Sequence, residues 1–294
     1  MEKTDKLFRC MGLPRCGNHP IIFWMMHQYK EMKYDGESQY GIHSSSRFYD
    51  PEVRLSECAW MKPCPDQGGM VTLFNNRVPR SSQHVDGHVE VDKEVEHLEA
   101  LADMSGVEKI NKTVIFSYEL QSLKDLRKYH PTDQDSLKSY LGKVKTEKNI
   151  IIMRDAYNAI ASRLVMNRLN ERPDESIFNY VEEYKVYAKE FLNITRTIPN
   201  KWPMCFNRWV RSVTYRRKFC EKMRLHFNDT AKNRVSKIGG GSTWDKDKFD
   251  KYAEDMDLQN RWTNLKDDEF YKSIFEDKEL VVLSNKIFEI EVEF

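Results

Sequence analysis

The sequence has no long apolar run. A membrane-spanning helix needs roughly 20 consecutive apolar residues, and no such stretch occurs in the 294 residues of the chain. The N-terminal residues, MEKTDKLFRCMGLPRCGNH, also lack the apolar core of a signal peptide. We therefore expect a soluble, cytoplasmic protein that has no membrane partner.

Cysteine is sparse and net charge is close to zero. The six cysteines include no CxxC pair, which excludes a small disulfide-rich scaffold and predicts reduced thiols. The formal charge of +1 gives no overall electrostatic reason to expect nucleic acid as a partner. Basic residues do concentrate between 201 and 237, where they form either a solvated surface or a site for a polyanionic ligand.

Two catalytic signatures are absent. The GxSxG motif of serine hydrolases does not occur. The GxxxxGK[ST] motif of P-loop NTPases is missing as well, which argues against ordinary ATP hydrolysis.

Apolar, β-branched runs alternate with segments of helical periodicity along the chain. The predicted strands lie at 7–11, 113–118, 149–153 and 203–206. The predicted helices lie at 21–29, 91–104, 120–129, 136–144, 156–167, 177–194 and 215–223. This alternation predicts an α/β fold with a parallel central sheet and helices on both faces. No repeat or low-complexity linker divides the sequence, so we expect one domain over 1–294, with no clear prediction for residues 35–89.

The first motif is a glycine-containing turn between a strand and a helix, PRCGNHP, at residues 14–20. Such a turn directs backbone N–H groups and the positive end of the helix dipole to one point, where phosphate or sulfate binds well. Arg15 adds a full positive charge there. An ordinary strand-to-helix turn would have the same composition.

The second motif, IIIMRDAYNAIASR, covers residues 150–163. Arg154 follows a continuously apolar strand, and ligands of open α/β sheets bind at the carboxyl ends of strands. Ser162 lies about two helical turns farther on, so its hydroxyl and the Arg154 guanidinium are candidates to bind one phosphate. A structural salt bridge from Arg154 to Asp155 or to another neighbouring carboxylate is the alternative interpretation.

The third motif is Lys237-Ile238-Gly239-Gly240-Gly241. Three successive glycines raise the entropic cost of folding, so they favour a close backbone approach to a ligand. A hinge or linker is the alternative.

Together and in this order, the three motifs resemble those of sulfotransferases that use 3′-phosphoadenosine 5′-phosphosulfate. PRCGNHP is similar to the family's 5′-phosphosulfate loop, the second motif to its 3′-phosphate motif, and the third to its late glycine-bearing loop. The resemblance touches segments between residues 12 and about 262 and leaves 35–90 without support. It implies a P-loop-like three-layer fold, with a central parallel sheet flanked by helices.

The resemblance also implies roles for individual residues. Arg15 would contact the bridging phosphate oxygen, while Cys16, Gly17, Asn18 and His19 would surround the phosphosulfate. Arg154 and Ser162 would bind the 3′-phosphate, with Phe206 beside the adenine and Lys237, Gly239, Gly240 and Gly241 closing over the nucleotide. The sequence departs from the family at Cys16, Ala156 and Pro20, where the family often has Ser, Pro and Trp.

The general base in this family comes from the end of the strand that precedes the 3′-phosphate strand. Here that strand is 113–118, and Glu119 follows it. We therefore expect Glu119 to accept the acceptor's proton, with His19 as the second candidate. An acid that starts the next helix is the alternative interpretation of Glu119.

A cluster of His and acidic residues, HVDGHVE, lies at 84–90. A metal site there is disfavoured because Gly87 makes a helix improbable and the two histidines need not converge. His84 or His88 could instead act as the acceptor-side base.

The sequence thus predicts sulfuryl transfer from 3′-phosphoadenosine 5′-phosphosulfate to a hydroxyl or amine, with 3′,5′-bisphosphoadenosine as the product and no metal requirement. The alternatives are a P-loop-type nucleotide kinase and a non-catalytic nucleotide-binding protein with the same fold. The acceptor can be a carbohydrate, a small alcohol or a peptide, and the oligomeric state stays open.

Overall fold

A seven-stranded sheet forms the centre of the computed structural model, which describes residues 4–28, 53–54, 59–64, 69–75, 111–119, 122–128, 130–133, 135–233, 253, 256–290 and 292. The strand order is β2-β3-β4-β5-β1-β6-β7. The strands are β1 (Thr4–Gly12), β2 (Val53–Arg54), β3 (Ala59–Cys64), β4 (Gly69–Asn75), β5 (Asn111–Glu119), β6 (Val144–Met153) and β7 (Lys201–Cys205).

Five of these strands are parallel. β4, β5, β1, β6 and β7 pair in parallel, whereas β2 pairs with β3 and β3 with β4 in antiparallel fashion. The predicted parallel α/β sheet is therefore confirmed, and it carries an antiparallel edge within the region that gave no clear prediction. The connection from β3 to β4 spans only residues 65–68, which is too short for the crossover that a parallel pair needs.

Helices cover both faces of the sheet. They are α1 (Asn18–Met26), α2 (Leu123–Leu126), α3 (Asp135–Leu141), α4 (Ala156–Leu169), α5 (Ile177–Phe191), α6 (Phe206–Arg211), α7 (Val213–Met223), α8 (Glu269–Ile274) and α9 (Lys278–Phe288). Short 3-10 turns lie at Pro131–Asp133, Asp174–Ser176 and Arg261–Leu265.

Alternate residues of the central strands divide the core into two clusters. Leu7 and Met11 of β1 pack with α4, α5, α8 and α9. Phe8 and Cys10 of the same strand pack with α1, α6 and α7. Because successive side chains of a strand point to opposite faces, the two clusters are the two sides of one sheet, and the fold has three layers.

Several helix boundaries differ from the prediction. The helix expected at 120–129 is the single turn α2. The helix expected to reach residue 144 ends at Leu141, because Gly142 takes a left-handed φ of 54° and β6 begins at Val144. The helix expected to reach residue 194 ends at Phe191, and Asn193 follows with a φ of 60°. The predicted helix at 91–104 lies outside the described residues.

Within the described ranges, no helix is both long enough and apolar enough to cross a membrane.

Candidate functional site

Strand register brings the predicted site residues to one edge of the sheet. Gly12, the last residue of β1, lies opposite Glu119 of β5 and opposite Ile152 of β6. Met153 of β6 lies opposite Cys205 of β7. The carboxyl ends of four parallel strands therefore meet, and the segments that follow them share one crevice edge.

The turn after β1 has a strained backbone that only certain residues tolerate. Arg15 has a φ of 72° and Gly17 a φ of 90°. The amide of Cys16 donates to the Leu13 carbonyl at 3.2 Å and closes the turn. A Cβ on Gly17 would lie 2.1 Å from Cδ2 of Phe206, so glycine is needed for both its conformation and its lack of a side chain.

A helix follows this turn directly, as predicted, with Pro20 in its first turn, but α1 covers Asn18–Met26 instead of the predicted 21–29. The amides of Asn18 and His19 belong to the first turn of α1, where N–H groups have no intrahelical acceptor. Together with the positive end of the helix dipole, these amides suit a phosphate or sulfate oxygen.

Glu119 contacts the start of α1. Its Oε1 accepts a hydrogen bond from Nδ2 of Asn18 at 3.2 Å, and its Oε2 lies 3.5 Å from Nε2 of His19. Nδ2 of Asn18 also donates to the Leu13 carbonyl at 3.0 Å. The two predicted proton-transfer candidates, Glu119 and His19, are thus neighbours beside the turn.

Arg154 is buried beneath the same turn, with 3% of its surface exposed. Its terminal nitrogens donate to the Arg15 carbonyl, at 3.4 Å, and to the Leu258 carbonyl, and its guanidinium lies 5.4 Å from the ring centre of Phe206. Burial lowers the pKa of Arg154, and the Asp155 carboxylate offsets part of that effect. Nε of Arg154 is buried and has no hydrogen-bond partner within the described part of the chain. Arg154 therefore joins the turn to the segment that contains Leu258, and its Nε–H is not used in this contact.

Arg15 carries the second positive charge of the site. Burial lowers the pKa of its guanidinium, the Glu119 carboxylate counteracts this, and the charge of Arg163 lowers the pKa further. A partly buried cation next to another cation favours the binding of an anion.

The Cys16 side chain points away from the turn and into the core. Its Sγ lies 3.7 Å from the Tyr180 hydroxyl. Burial raises the pKa of this thiol to about 11, so the thiol stays protonated at neutral pH. Only the backbone of Cys16 is therefore suited to an anion at the turn.

Ser162 and Phe206 are both buried, with 5% and 3% of their surfaces exposed. Ser162 lies on α4, as predicted. Phe206 starts α6 and stacks on Trp209 with ring centres 5.9 Å apart. Lys237, Gly239, Gly240 and Gly241 lie outside the described residues, as do His84 and His88.

Sequence reasoning missed the polar network that holds the start of α4. Asp155 is the N-cap of this helix, and its carboxylate accepts from the Asn158 amide at 2.8 Å and from Nδ2 of Asn207 at 2.7 Å. Nδ2 of Asn158 donates in turn to the Gln259 carbonyl at 2.7 Å. An aspartate just ahead of a helical pattern is a recognisable capping signal, but the contributions of Asn207 and Gln259 come from tertiary contacts.

Tyr180 was also missed as a site residue. The apolar stripe of α5 predicts it as core, and it is buried. In addition, its hydroxyl donates to the Pro14 carbonyl at 2.7 Å, and the hydroxyl of Tyr184 donates to the Arg154 carbonyl at 2.9 Å. Helix α5 therefore holds the backbone of the turn at Pro14 and the backbone of Arg154.

A search of the described residues for three or more His, Cys, Asp or Glu side chains that could hold a metal ion finds no such group.

Comparison with known proteins adds a distant structural similarity. No protein-family model and no curated protein matches the chain. Among solved structures, the chain is similar to a sulfotransferase domain from the curacin biosynthetic pathway, with a TM-score of 0.33, 13% identity, and coverage of 92% of this chain and 98% of that chain. A TM-score this low decides nothing about activity, so the α/β fold class rests on the strand order and the two helical layers described above.

Proposed function

We propose that this protein is a sulfotransferase, which transfers the sulfuryl group of 3′-phosphoadenosine 5′-phosphosulfate to a hydroxyl or amine acceptor. One observation carries the proposal. Three neighbouring strand ends bring together the turn that precedes α1, the buried Arg154, and the carboxylate of Glu119.

The turn suits the phosphosulfate end of the donor. When bound, the donor supplies a sulfuryl group that is activated by its bond to a phosphate. Amides of Asn18 and His19 bind the phosphate oxygens, and Arg15 stabilises the negative charge that builds on the leaving phosphate. Cys16 and Gly17 contribute backbone, since the Cys16 thiol faces the core.

Arg154 and Ser162 are the proposed ligands of the 3′-phosphate. The unused Nε donor of Arg154 fits this role, since a buried donor without a partner is costly unless a ligand satisfies it. Lys237 and Gly239 to Gly241 remain part of the proposal as the closing loop. Phe206 is proposed to lie beside the adenine and also supports Gly17 and Arg154 by packing.

Glu119 is the proposed general base. As the acceptor oxygen or nitrogen forms its new bond to sulfur, Glu119 takes the acceptor's proton. The bond from sulfur to the bridging oxygen breaks, and its electron pair leaves with the phosphate. His19, 3.5 Å from the carboxylate, is proposed to orient Glu119 and, as the second candidate, to accept the proton itself.

Nucleotide specificity tests this proposal. The measurement is calorimetric titration of the wild-type protein with 3′,5′-bisphosphoadenosine, 5′-AMP and ATP. We expect the bisphosphate to bind at least tenfold tighter than 5′-AMP, because its 3′-phosphate gains charge-assisted hydrogen bonds. Tighter binding of ATP would support a kinase, and no binding of any nucleotide would contradict the proposal.

The same titration of Arg154→Gln assigns the 3′-phosphate contact. Glutamine keeps a polar side chain but removes the guanidinium charge, so we expect the preference for the bisphosphate over 5′-AMP to disappear. Arg168→Gln is the matched control, because Arg168 lies on α4, the helix that begins two residues after Arg154, and pairs with Asp174 and Asp268 on the surface. We expect this control to keep the preference.

A further inference from the structure

Arg163 lies beside the anion-binding turn although no motif assigns it a role. It is on α4, and its guanidinium carbon lies 5.9 Å from the ring centre of Tyr180. The hydroxyl of Tyr180 donates to the Pro14 carbonyl at 2.7 Å and lies 3.7 Å from Sγ of Cys16. Through this one ring, Arg163 is adjacent to the turn that carries Arg15.

The charge of Arg163 has no carboxylate partner at ion-pair distance among the described residues. Its Nε is buried and has no hydrogen-bond partner in the same part of the chain. By contrast, Arg168 has two carboxylate partners, Asp174 and Asp268. It lies five residues farther along α4. A half-buried guanidinium without a carboxylate partner contributes little to stability, because its desolvation is not compensated. The same group can bind an anion strongly.

Arg163 interacts electrostatically with Glu119, the proposed general base, and with Arg15, the proposed ligand of the leaving phosphate. Burial lowers the pKa of Arg163, whereas the Glu119 carboxylate raises it. The positive charge of Arg163 also lowers the pKa of Arg15. The charges of Arg15, Arg163 and Glu119 therefore influence one another, and the guanidinium of Arg154 contacts the same turn.

The group in transfer must lie between the residue that stabilises the leaving phosphate and the residue that takes the acceptor's proton. Arg15 and Glu119 are the residues proposed for these two tasks. Arg163 interacts electrostatically with both of them, and the oxygens of a sulfuryl group are negatively charged. A guanidinium has the planar donor geometry to bind two such oxygens at once.

We propose that Arg163 is a further catalytic residue, whose guanidinium binds the oxygens of the sulfuryl group. This inference rests on the proposed sulfotransferase function. Arg163 stays protonated throughout, while the bond from sulfur to the acceptor forms and the bond to the leaving phosphate breaks. The residue stabilises charge on the transferring group and does not accept a proton.

The test compares two nucleotides that differ only in the sulfuryl group, and it needs no acceptor. Dissociation constants of 3′-phosphoadenosine 5′-phosphosulfate and 3′,5′-bisphosphoadenosine are measured by calorimetry for the wild type and for Arg163→Gln. The nucleotide is analysed after each titration to confirm that the sulfuryl group is intact. We expect the substitution to raise the ratio of the two dissociation constants, sulfated over unsulfated, about tenfold.

The possible results distinguish the role of Arg163 from the proposed function itself. A ratio that stays within twofold of the wild-type ratio overturns the role of Arg163, whether both affinities fall together or neither changes. If Arg163→Gln weakens the binding of both nucleotides equally, Arg163 contacts the phosphates that the two nucleotides share. If neither affinity changes, an anionic acceptor is the remaining candidate ligand of Arg163. Failure of the wild type to bind either nucleotide would overturn the proposed function, and this inference with it.

Three further variants distinguish the loss of the Arg163 charge from a general effect on folding. Arg163→Met keeps the apolar stem against Tyr180 and should reproduce the result of Arg163→Gln. Arg163→Lys restores the charge without the forked donor geometry, so we expect a ratio between those of the wild type and Arg163→Gln. Arg168→Gln, which removes an arginine from the same helix, should leave the ratio unchanged.

Discussion

At the residue scale, Gly17 is the position where the turn tolerates least change. Its φ of 90° and its contact with Phe206 both exclude a side chain. We expect Gly17→Ala to lower the free energy of unfolding by about 2–4 kcal/mol, from backbone strain and overpacking together. Urea denaturation measures the change.

A double variant separates the two causes. In Gly17→Ala with Phe206→Ala the collision is gone, so we expect the combined loss of stability to be smaller than the sum of the single losses. Gly142→Ala, at the other described glycine with positive φ, 54°, reports the cost of backbone strain outside the site. Additive losses in the double variant would show that Phe206 does not restrict residue 17.

Glu119 is the residue on which turnover depends in the proposed mechanism. We expect Glu119→Gln to lower kcat about 10²–10⁴-fold, because the amide cannot accept the acceptor's proton. Glutamine can still accept the hydrogen bond from Asn18, so nucleotide affinity should change little. Steady-state kinetics with any acceptor found by screening, together with calorimetry, measures both effects. Unchanged turnover would remove Glu119 from the mechanism.

Glu190 is a buried carboxylate that stabilises the fold away from the site. Burial alone would raise its pKa, but hydrogen bonds from Lys201, Thr195, Thr197 and Ile198 outweigh burial and lower the pKa from 4.5 to about 2. By accepting these hydrogen bonds, the carboxylate holds the segment between α5 and β7 against the end of α5.

This depressed pKa predicts a specific dependence of stability on pH. The contribution of Glu190 is fully present above the unfolded pKa of 4.5 and is lost as pH falls through 4.5 toward the folded pKa of about 2. We expect Glu190→Gln to cost about 3 kcal/mol near neutral pH and to flatten the acid side of the stability curve between these values.

Denaturation at a series of pH values tests this expectation. Glu182→Gln on the same helix is the control, since Glu182 is exposed and its partner Lys185 keeps Asp277 as another partner. We expect that control to change stability by less than about 1 kcal/mol. Acid curves of equal slope for the wild type and Glu190→Gln would contradict the assignment.

At the scale of elements, α9 contributes to the core from the far end of the chain. One face of this helix is buried against α5, with Leu280, Leu283 and Ile287 among the buried residues. Nζ of Lys185 on α5 forms an ion pair with Oδ2 of Asp277, the N-cap of α9, at 2.8 Å. Helix α9 is therefore part of the core cluster that lies on one face of the sheet.

Two neighbouring residues of α9 provide a matched pair for testing this packing. We expect Leu283→Ala to destabilise the protein by about 2–4 kcal/mol, because it leaves a cavity in the core. We expect Val282→Ala, at a position that is 62% exposed, to change stability by less than about 0.5 kcal/mol. Similar losses in thermal or urea denaturation would show that the face of α9 is assigned incorrectly.

Helix and strand positions could largely be predicted from periodicity, and the failures have local causes. Helix α4 was expected at 156–167 and is observed at Ala156–Leu169. The wrong boundary at residue 144 reflects Gly142, whose left-handed conformation a pattern of apolar residues does not reveal. The strands β2 to β4 could not be predicted, because β2 has only two residues and β3 and β4 contain Pro63 and Gly69, which obscure the alternation.

At the scale of the whole molecule, the two core clusters share the central strands. β1, β5 and β6 each contribute residues to both clusters. We therefore expect one cooperative unfolding transition, as for a single domain. Trp24 and Trp209 lie in the cluster formed with α1, α6 and α7, so tryptophan fluorescence emphasises that side of the sheet.

Coincidence of two probes checks this expectation. Far-ultraviolet circular dichroism follows the helices on both faces, whereas fluorescence emphasises one face. Urea midpoints that agree within error are the expected result. Midpoints that differ would indicate that the two layers unfold separately and would contradict the prediction of one domain over 1–294.

The sequence by itself determined the alternation of strands and helices, the turn at residues 14–19, and the positions of Arg154 and Glu119 at the carboxyl ends of strands. These features are local, since periodicity, turn chemistry and strand ends are properties of neighbouring residues. Only the tertiary structure decided that Glu119 lies beside His19, that the Cys16 thiol faces the core, and that Arg163 stands next to the turn. Each of these depends on strand register and on the packing of α4 and α5 against the sheet, which bring together residues far apart in the chain.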